Sequence, residues 1–412
     1  NTEIMNVLGN QHIYGKEAHS NKDGGCSFGA IRSLEPSNVI MYLVTTLLLI
    51  GIIMIYSTSS AKVTNSAHTF NSAFLRHIMW VAIAIIGMLV TMKIDYHYLQ
   101  KYSTAICVIA LVGLVVVLIP QIGTVTYGAR RWVRFGSYFG YQPSEFAKLA
   151  MIIFMSGYIA KNREKMSTFI RGFVVPIVLV GAVSLLILME PDFGTAMFIS
   201  MVTFVLLMVG GTRIVYVVFA MIASIPHVYQ MMHNIPTYRY NRLLAFLDPW
   251  KDPMGIGYQI IQSWIALGSG GVAGLGMGES RQKLFFLPMS DNDFIFSIIG
   301  EEFGFVGTTG IILMFAILTW QGIRVCKATP DLFGFFLSLG ITISLALQAA
   351  INIAVVTGSI PTKGLPLPFI STGGSSILLS MLAIGILLNI AKQSEKKDVS
   401  AINIENNRSP VT

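Results

Sequence analysis

The chain has 412 residues, of which 54% are hydrophobic and only 12% charged. That balance excludes one or two soluble domains, because too little polar surface remains to solvate them, and it predicts a polytopic membrane protein. The formal net charge of +8 would suggest nucleic acid in a soluble protein, but here Lys and Arg cluster between apolar runs, as the positive-inside rule expects, and no nucleic-acid partner is expected.

Residues 1–37 are polar, rich in Asn and Gly, and lack the basic region and short apolar core of a cleavable signal; they are expected to form a cytoplasmic tail. Apolar runs then recur at Val39 to Tyr56, Arg76 to Met92, Ala105 to Pro120, Phe146 to Ile159, Phe173 to Met189, Ala196 to Val209, Ile214 to Met231, Phe294 to Ile323, Leu332 to Val356 and Ser375 to Ile390. They predict an all-α membrane domain over 38–392 with about ten spans. Basic turns at Lys93 to Lys101, Lys161 to Lys165, Arg213, Arg324 to Lys327 and Lys392 to Lys397 place both termini, including a tail at 393–412, in the cytoplasm. The longest non-apolar segment, about 232–293, becomes a large extracytoplasmic loop between spans seven and eight.

Within that loop, a glycine-rich run from Gly268 to Gly278 resembles a phosphate loop only superficially. No strand precedes it and no Gly-Lys-Ser/Thr follows, so neither dinucleotide nor P-loop geometry is implied. Irregular backbone lining a polar cavity accounts for it better, its glycines admitting a ligand headgroup or simply giving a flexible loop. Cys26, Cys107 and Cys326 are too scattered for a disulfide framework or thiolate site, and His227 and His233 lack the spacing of a helical metal pair.

Seven cations, Arg130, Arg131, Arg134, Arg239, Arg242, Arg281 and Lys283, fall in expected outer segments, against the charge rule. Guanidinium forks suit phosphate oxygens; pairing with Glu145, Glu190, Asp192 and Asp248 is the alternative. Glu190 and Asp192 flank a proline in a tight turn, where capping of the next helix competes with a binding role. Asp293 is the last polar residue before an apolar helix, so a cap or a base tuned by partial burial are both open, with Asp291 a rival. Glu301 and Glu302 lie about two turns into a span, where an ionisable group is expected to meet a partner or a cavity. Tyr238, Tyr240, Trp250 and Trp264 read as interfacial anchors or sugar-stacking rings.

The ordered motifs Gly128-Ala-Arg-Arg-Trp132, Gln142-Pro-Ser-Glu-Phe-Ala-Lys148, Glu190-Pro-Asp-Phe-Gly-Thr-Ala196, Phe246-Leu-Asp-Pro-Trp250, Ser280-Arg-Gln-Lys-Leu-Phe-Phe-Leu-Pro288, Asp293-Phe-Ile-Phe296, Gly300-Glu-Glu302 and Gly364-Leu-Pro-Leu-Pro-Phe-Ile-Ser371 resemble those of the SEDS family (shape, elongation, division and sporulation), in its cell-division or sporulation branch. The chain departs from the family pattern at Asp291-Asn292, where His-Thr is usual, and at Thr372, where an aromatic is usual. The resemblance implies a GT-C-like enzyme in the bacterial cytoplasmic membrane that polymerises lipid II into glycan strands on the outer face. It further implies a class B penicillin-binding transpeptidase and other divisome membrane proteins as partners.

The family's essential aspartate falls on Asp293, as general base of an inverting transfer. Substrate contacts are expected at Arg130, Arg131, Lys148, Glu190, Asp192, Arg242, Arg281, Lys283, Glu302 and Ser371. The departing pyrophosphate is met by such cations or by a divalent ion held by carboxylates, Asp293 included. A lipid II flippase and a non-catalytic divisome scaffold are the alternative functions.

Overall fold

The computed structural model describes residues 35–60, 67–126, 129–136, 139–216, 218, 237–284 and 286–406, and the contacts separate 1–35 from a unit spanning Pro36–Thr412. In that unit the order is α1 (Pro36–Ser60), α2 (Ala67–Lys93), the short α3 (His97–Lys101), α4 (Ser103–Leu118), strands β1 (Gly123–Thr126), β2 (Ala129–Phe135) and β3 (Phe139–Tyr141), then α5 (Pro143–Asn162). A π-helical turn, Ile170–Val174, runs into α6 (Val175–Met189), followed by α7 (Phe193–Val209), α8 (Thr237–Leu247), α9 (Tyr258–Ser269), α10 (Ile295–Ala328), α11 (Leu332–Val356) and α12 (Gly374–Asn406).

Six of these helices are long and apolar enough to cross a membrane, and α4 and α7 are shorter apolar helices. The chain is thus a multi-pass, mostly helical membrane protein. Helices occupy every expected crossing except Ile214 to Met231, which lies outside the described residues beyond its first turn, as does the tail at 1–34. Their apolar residues run all round the helix rather than along one stripe, as burial against both lipid and protein requires.

The polar segment 121–145 includes the antiparallel sheet β1-β2-β3, with Thr124 opposite Trp132 and Val133 opposite Tyr141. The segment 232–293, expected as a large loop, carries the helices α8 and α9. In addition, α12 continues through Asn406, past the expected boundary at 392.

The membrane stretch of α12 is the central one, 83% of its span being buried by protein against 22% for α10. It lies along α2, where a Cβ at Gly385 would collide with Thr91 and Met88, so the two backbones touch through a glycine. Around it α10 packs on α11, α11 on α5, and α5 on α4 and α7. Leu47, Met54, Leu114, Met155, Phe336 and Ile384 fill the centre.

Candidate active site

At one end of the bundle the β-sheet, the α6–α7 turn, α8, the segment before α10 and the loop after α11 converge. Asp293 is the hub. It precedes α10, but the N-cap position is Phe294 and no side chain caps the helix, which removes the capping role as the reason for a carboxylate there. Its side chain is half-buried, and Oδ1 is shielded without a hydrogen-bond partner in the protein. Oδ2 lies against Gly364, where a Cβ would sit 3.2 Å away. Burial pushes the Asp293 carboxyl up to about 6; Arg242 opposes that rise, Asp192 and Asp291 add to it, and Arg131 opposes it.

The surrounding charges come from separate elements. Arg131 is presented by β2 and donates from Nε to the Glu190 carbonyl at 3.0 Å and from Nη2 to the Pro191 carbonyl, so the strand clamps the α6–α7 turn. Asp192 is the N-cap of α7, accepting from Thr195 N at 3.1 Å and Thr195 Oγ1 at 3.0 Å; capping is what its carboxylate does here. Glu190 differs. It is fully buried with neither carboxylate oxygen hydrogen-bonded, and burial, reinforced by Asp192 against Arg131, raises its carboxyl to about 8.

Arg242 on α8 donates to the Thr362 carbonyl at 3.2 Å. The next residue, Lys363, lays its stem against Gly194 of the α6–α7 turn, and Gly364 faces Asp293. Residues 362–364 therefore meet α8, the start of α7 and the segment before α10 in turn. The Lys363 ammonium lies 2.8 Å from Met197 Sδ and 5.8 Å from the Phe193 ring centroid, and burial lowers its pKa.

Other expected site residues are placed elsewhere or bound up within the fold. Lys148 pairs with Glu145 at 2.9 Å, both buried between helices, and donates to Gln348 Oε1 at 3.2 Å. Ser371 donates to the Asn292 carbonyl at 2.6 Å and accepts from Leu367 N at 2.8 Å, which makes it a pin between two loops. The two departures from the family pattern meet one another, since Thr372 donates through N at 2.9 Å and Oγ1 at 2.8 Å to the Asp291 carbonyl. Arg130 is half-buried, Arg134 and Arg281 are exposed, and the Arg239 side chain lies outside the described residues.

Lys283 and Glu302 belong to a second cluster. The Lys283 ammonium reaches Glu302 Oε1 at 2.8 Å, Ser57 Oγ at 2.9 Å and the Gly278 carbonyl at 2.6 Å. Glu301 accepts from Arg281 N at 3.0 Å, Gln282 N at 3.2 Å and the Ser280 hydroxyl. The glycine-rich run docks at the same place. Gly304, at φ 65°, breaks α10, a conformation that glycine adopts without strain.

The groups freed by that break are taken up by the run. Leu275 N and Gly276 N donate to the Glu301 and Glu302 carbonyls at 3.0 and 3.1 Å, and Phe305 N and Val306 N donate to the Gly271 and Val272 carbonyls at 2.9 and 3.2 Å. A Cβ at Gly274 would collide with the Glu302 carbonyl. At Gly270 and Gly274 the run lies so close to the α10 backbone that a Cβ would not fit.

Sequence reasoning passed over Gln348, Asn352 and Lys363. The signal for the first two was an amide pair four residues apart inside an apolar run. Among the described residues no group of three His, Cys, Asp or Glu side chains is placed to hold a metal ion.

Residues 37–396 match the FtsW/RodA/SpoVE family model, described as cell cycle protein. The chain is 43% identical over 361 residues to the probable peptidoglycan glycosyltransferase FtsW of Trichlorobacter lovleyi, covering 87% of this chain and 94% of that one. It is 40% identical over 366 residues to the stage V sporulation protein E of Bacillus subtilis, covering 88% and 99%. A solved chain from a peptidoglycan synthase complex that coordinates polymerization and crosslinking shares the fold, with a TM-score of 0.71 at 23% identity over 86% of this chain and 97% of that one. Motifs, membrane helices and these matches agree, and the chain belongs to the FtsW/RodA/SpoVE family of cell cycle proteins.

Proposed function

We propose that the chain is a peptidoglycan glycosyltransferase of division or sporulation, polymerising lipid II with Asp293 as general base. The observation that carries this reading is the Asp293 carboxylate itself: it is half-buried, has an unpartnered Oδ1, and sits between the fields of Arg131 and Arg242 with its carboxyl at about 6. A base with that value is largely ionised at pH 7 and still basic enough to accept a proton in the transition state.

The acceptor sugar hydroxyl gives its proton to Asp293 as its oxygen bonds to the anomeric carbon of the donor. The bond from that carbon to the diphosphate breaks, its electron pair leaving with the polyprenyl diphosphate. Attack opposite the leaving group inverts the α-linked donor to a β-linked glycan. Arg131, Arg242 and Lys363 supply positive charge for the diphosphate. Glu190, with its carboxyl at about 8, stays protonated at pH 7 and adds no charge to repel it.

The site end is assigned to the outer face and both termini to the cytoplasm, because Lys93, Lys101, Lys161, Arg163, Lys165, Arg324 and Lys327 flank the helices at the other end. The likeness to a chain of a synthase complex that coordinates polymerization with crosslinking supports a class B penicillin-binding transpeptidase as partner. Other divisome membrane proteins are further expected partners.

The test is polymerisation of labelled lipid II by the protein and its transpeptidase in proteoliposomes. Wild type should give glycan strands and Asp293→Ala none at matched folding. Equal polymer from both would remove Asp293 from the chemistry. Lipid II transfer across the bilayer without polymer would replace the transferase with a flippase.

A further inference from the structure

Two amide side chains of α11 are the strongest unassigned feature. Gln348 and Asn352 are four residues apart, on one face of the helix, and are 3% and 1% exposed. Asn352 Nδ2 donates both to the Asp293 carbonyl at 2.9 Å and to the Leu365 carbonyl at 2.8 Å. One turn below, Gln348 Nε2 donates to the Pro366 carbonyl at 2.9 Å. Lys148 donates to Gln348 Oε1 at 3.2 Å, while holding Glu145 at 2.9 Å. That contact turns the amide so that its NH2 group faces Pro366. The ladder therefore runs from an ion pair within the bundle, through two amides, to consecutive carbonyls of the loop whose Gly364 lies against Asp293 Oδ2.

A buried amide is costly unless its donors are used. An apolar side chain at either position would pack in α11 without that cost. What the amides add is location: Asn352 ties the Asp293 backbone to the loop carrying Gly364, and the absence of a Cβ at 364 leaves the carboxylate its place. Resting on Asp293 as the base, we infer that Asn352 and Gln348 are positioning residues that fix the Asp293 carboxylate against the Gly364 loop, with Lys148 orienting Gln348 rather than holding substrate.

The experiment is steady-state lipid II polymerisation in proteoliposomes with the transpeptidase partner, across pH, for wild type, Asp293→Asn, Asn352→Leu, Gln348→Glu and Gly364→Ala, normalised to folded protein. Gln348→Glu keeps the acceptor for Lys148 and loses the donor to Pro366. Asn352→Leu should lower kcat about 10- to 100-fold, the scale of a small misplacement of a reacting group, with KM for lipid II little changed. The acid limb should move below that of wild type as the carboxylate gains water. Gly364→Ala should reproduce the loss of kcat from the other side of the contact, and combining it with Asn352→Leu should add little.

Unchanged kcat per folded molecule and an unmoved acid limb in Asn352→Leu and Gly364→Ala would overturn the inference. Should Asn352→Leu not fold, Gly364→Ala and Gln348→Glu decide, and wild-type kinetics in both overturn it. Wild-type polymerisation by Asp293→Asn would instead remove the base, and the inference with it; that failure is distinguishable because it appears at position 293.

Discussion

Two clusters of charge that look alike along the chain are opposite in kind. Around Glu301 and Glu302, Lys283, Ser57, Ser280 and the amides of 281 and 282 supply close donors, leaving Glu302 Oε2 without a partner, and the glycine-rich run seals the broken helix beside them. Around Asp293, by contrast, Oδ1 and both Glu190 oxygens are shielded without a hydrogen-bond partner. A carboxylate with a close cation and amide donors is held as a charge by the fold, whereas burial without such donors raises the carboxyl pKa, which is the ground on which Asp293 is proposed as the base.

The sharpest break between the two clusters is expected in activity. Asp293→Asn should lower polymerisation by about 10²- to 10⁴-fold, the range for loss of a general base, while its melting temperature at pH 7 stays level or rises. Lys283→Met should do the reverse, leaving Glu302 buried and uncompensated at a cost of about 3–5 kcal/mol. Denaturation in detergent would read that loss, and Lys283→Met with Glu302→Gln should recover most of it. A stable Lys283→Met protein with no activity would move Lys283 into the substrate site.

Smaller effects separate the carboxylates within the active cluster. The plot of kcat/KM against pH should rise through about 6 to a plateau, because the base must be ionised, and a limb near 4 would mean that Asp293 is not held as described. Glu190→Gln should leave activity at pH 7 little changed, since the amide copies the protonated acid. Its folded-state carboxyl lies at about 8 against an ordinary 4.5, so the folded protein binds the proton more tightly and wild type loses stability as pH rises between those values. The variant lacks that loss, and the gap between their melting temperatures should widen up to about pH 8.

Much of this was legible in the chain. Apolar runs alone placed the helices that the described residues cover, and the outlying cations and Asp293 were visible because they violate the charge rule or abut an apolar helix. The hairpin carrying Arg130 and Arg131 was not, since its short strands lack a clean alternation of apolar and polar residues. Gly304 gave no warning: an isolated glycine in an apolar run is usually tolerated as helix. The role of Gly270 to Gly278 depends on a break some thirty residues further on, which no local pattern encodes. Gln348 and Asn352 were overlooked because charge, not amide spacing, marked the candidates.

The most direct test compares polymerisation per folded molecule of Asp293→Asn with that of the paired variant Lys283→Met/Glu302→Gln, both reconstituted with the transpeptidase. The account predicts glycan about 10²- to 10⁴-fold below wild type from the first and activity within about tenfold of wild type from the second, because only the first removes a group that acts in the transition state. Wild-type rates from Asp293→Asn, with no glycan from the folded paired variant, would contradict it and place the chemistry at the Lys283–Glu302 cluster.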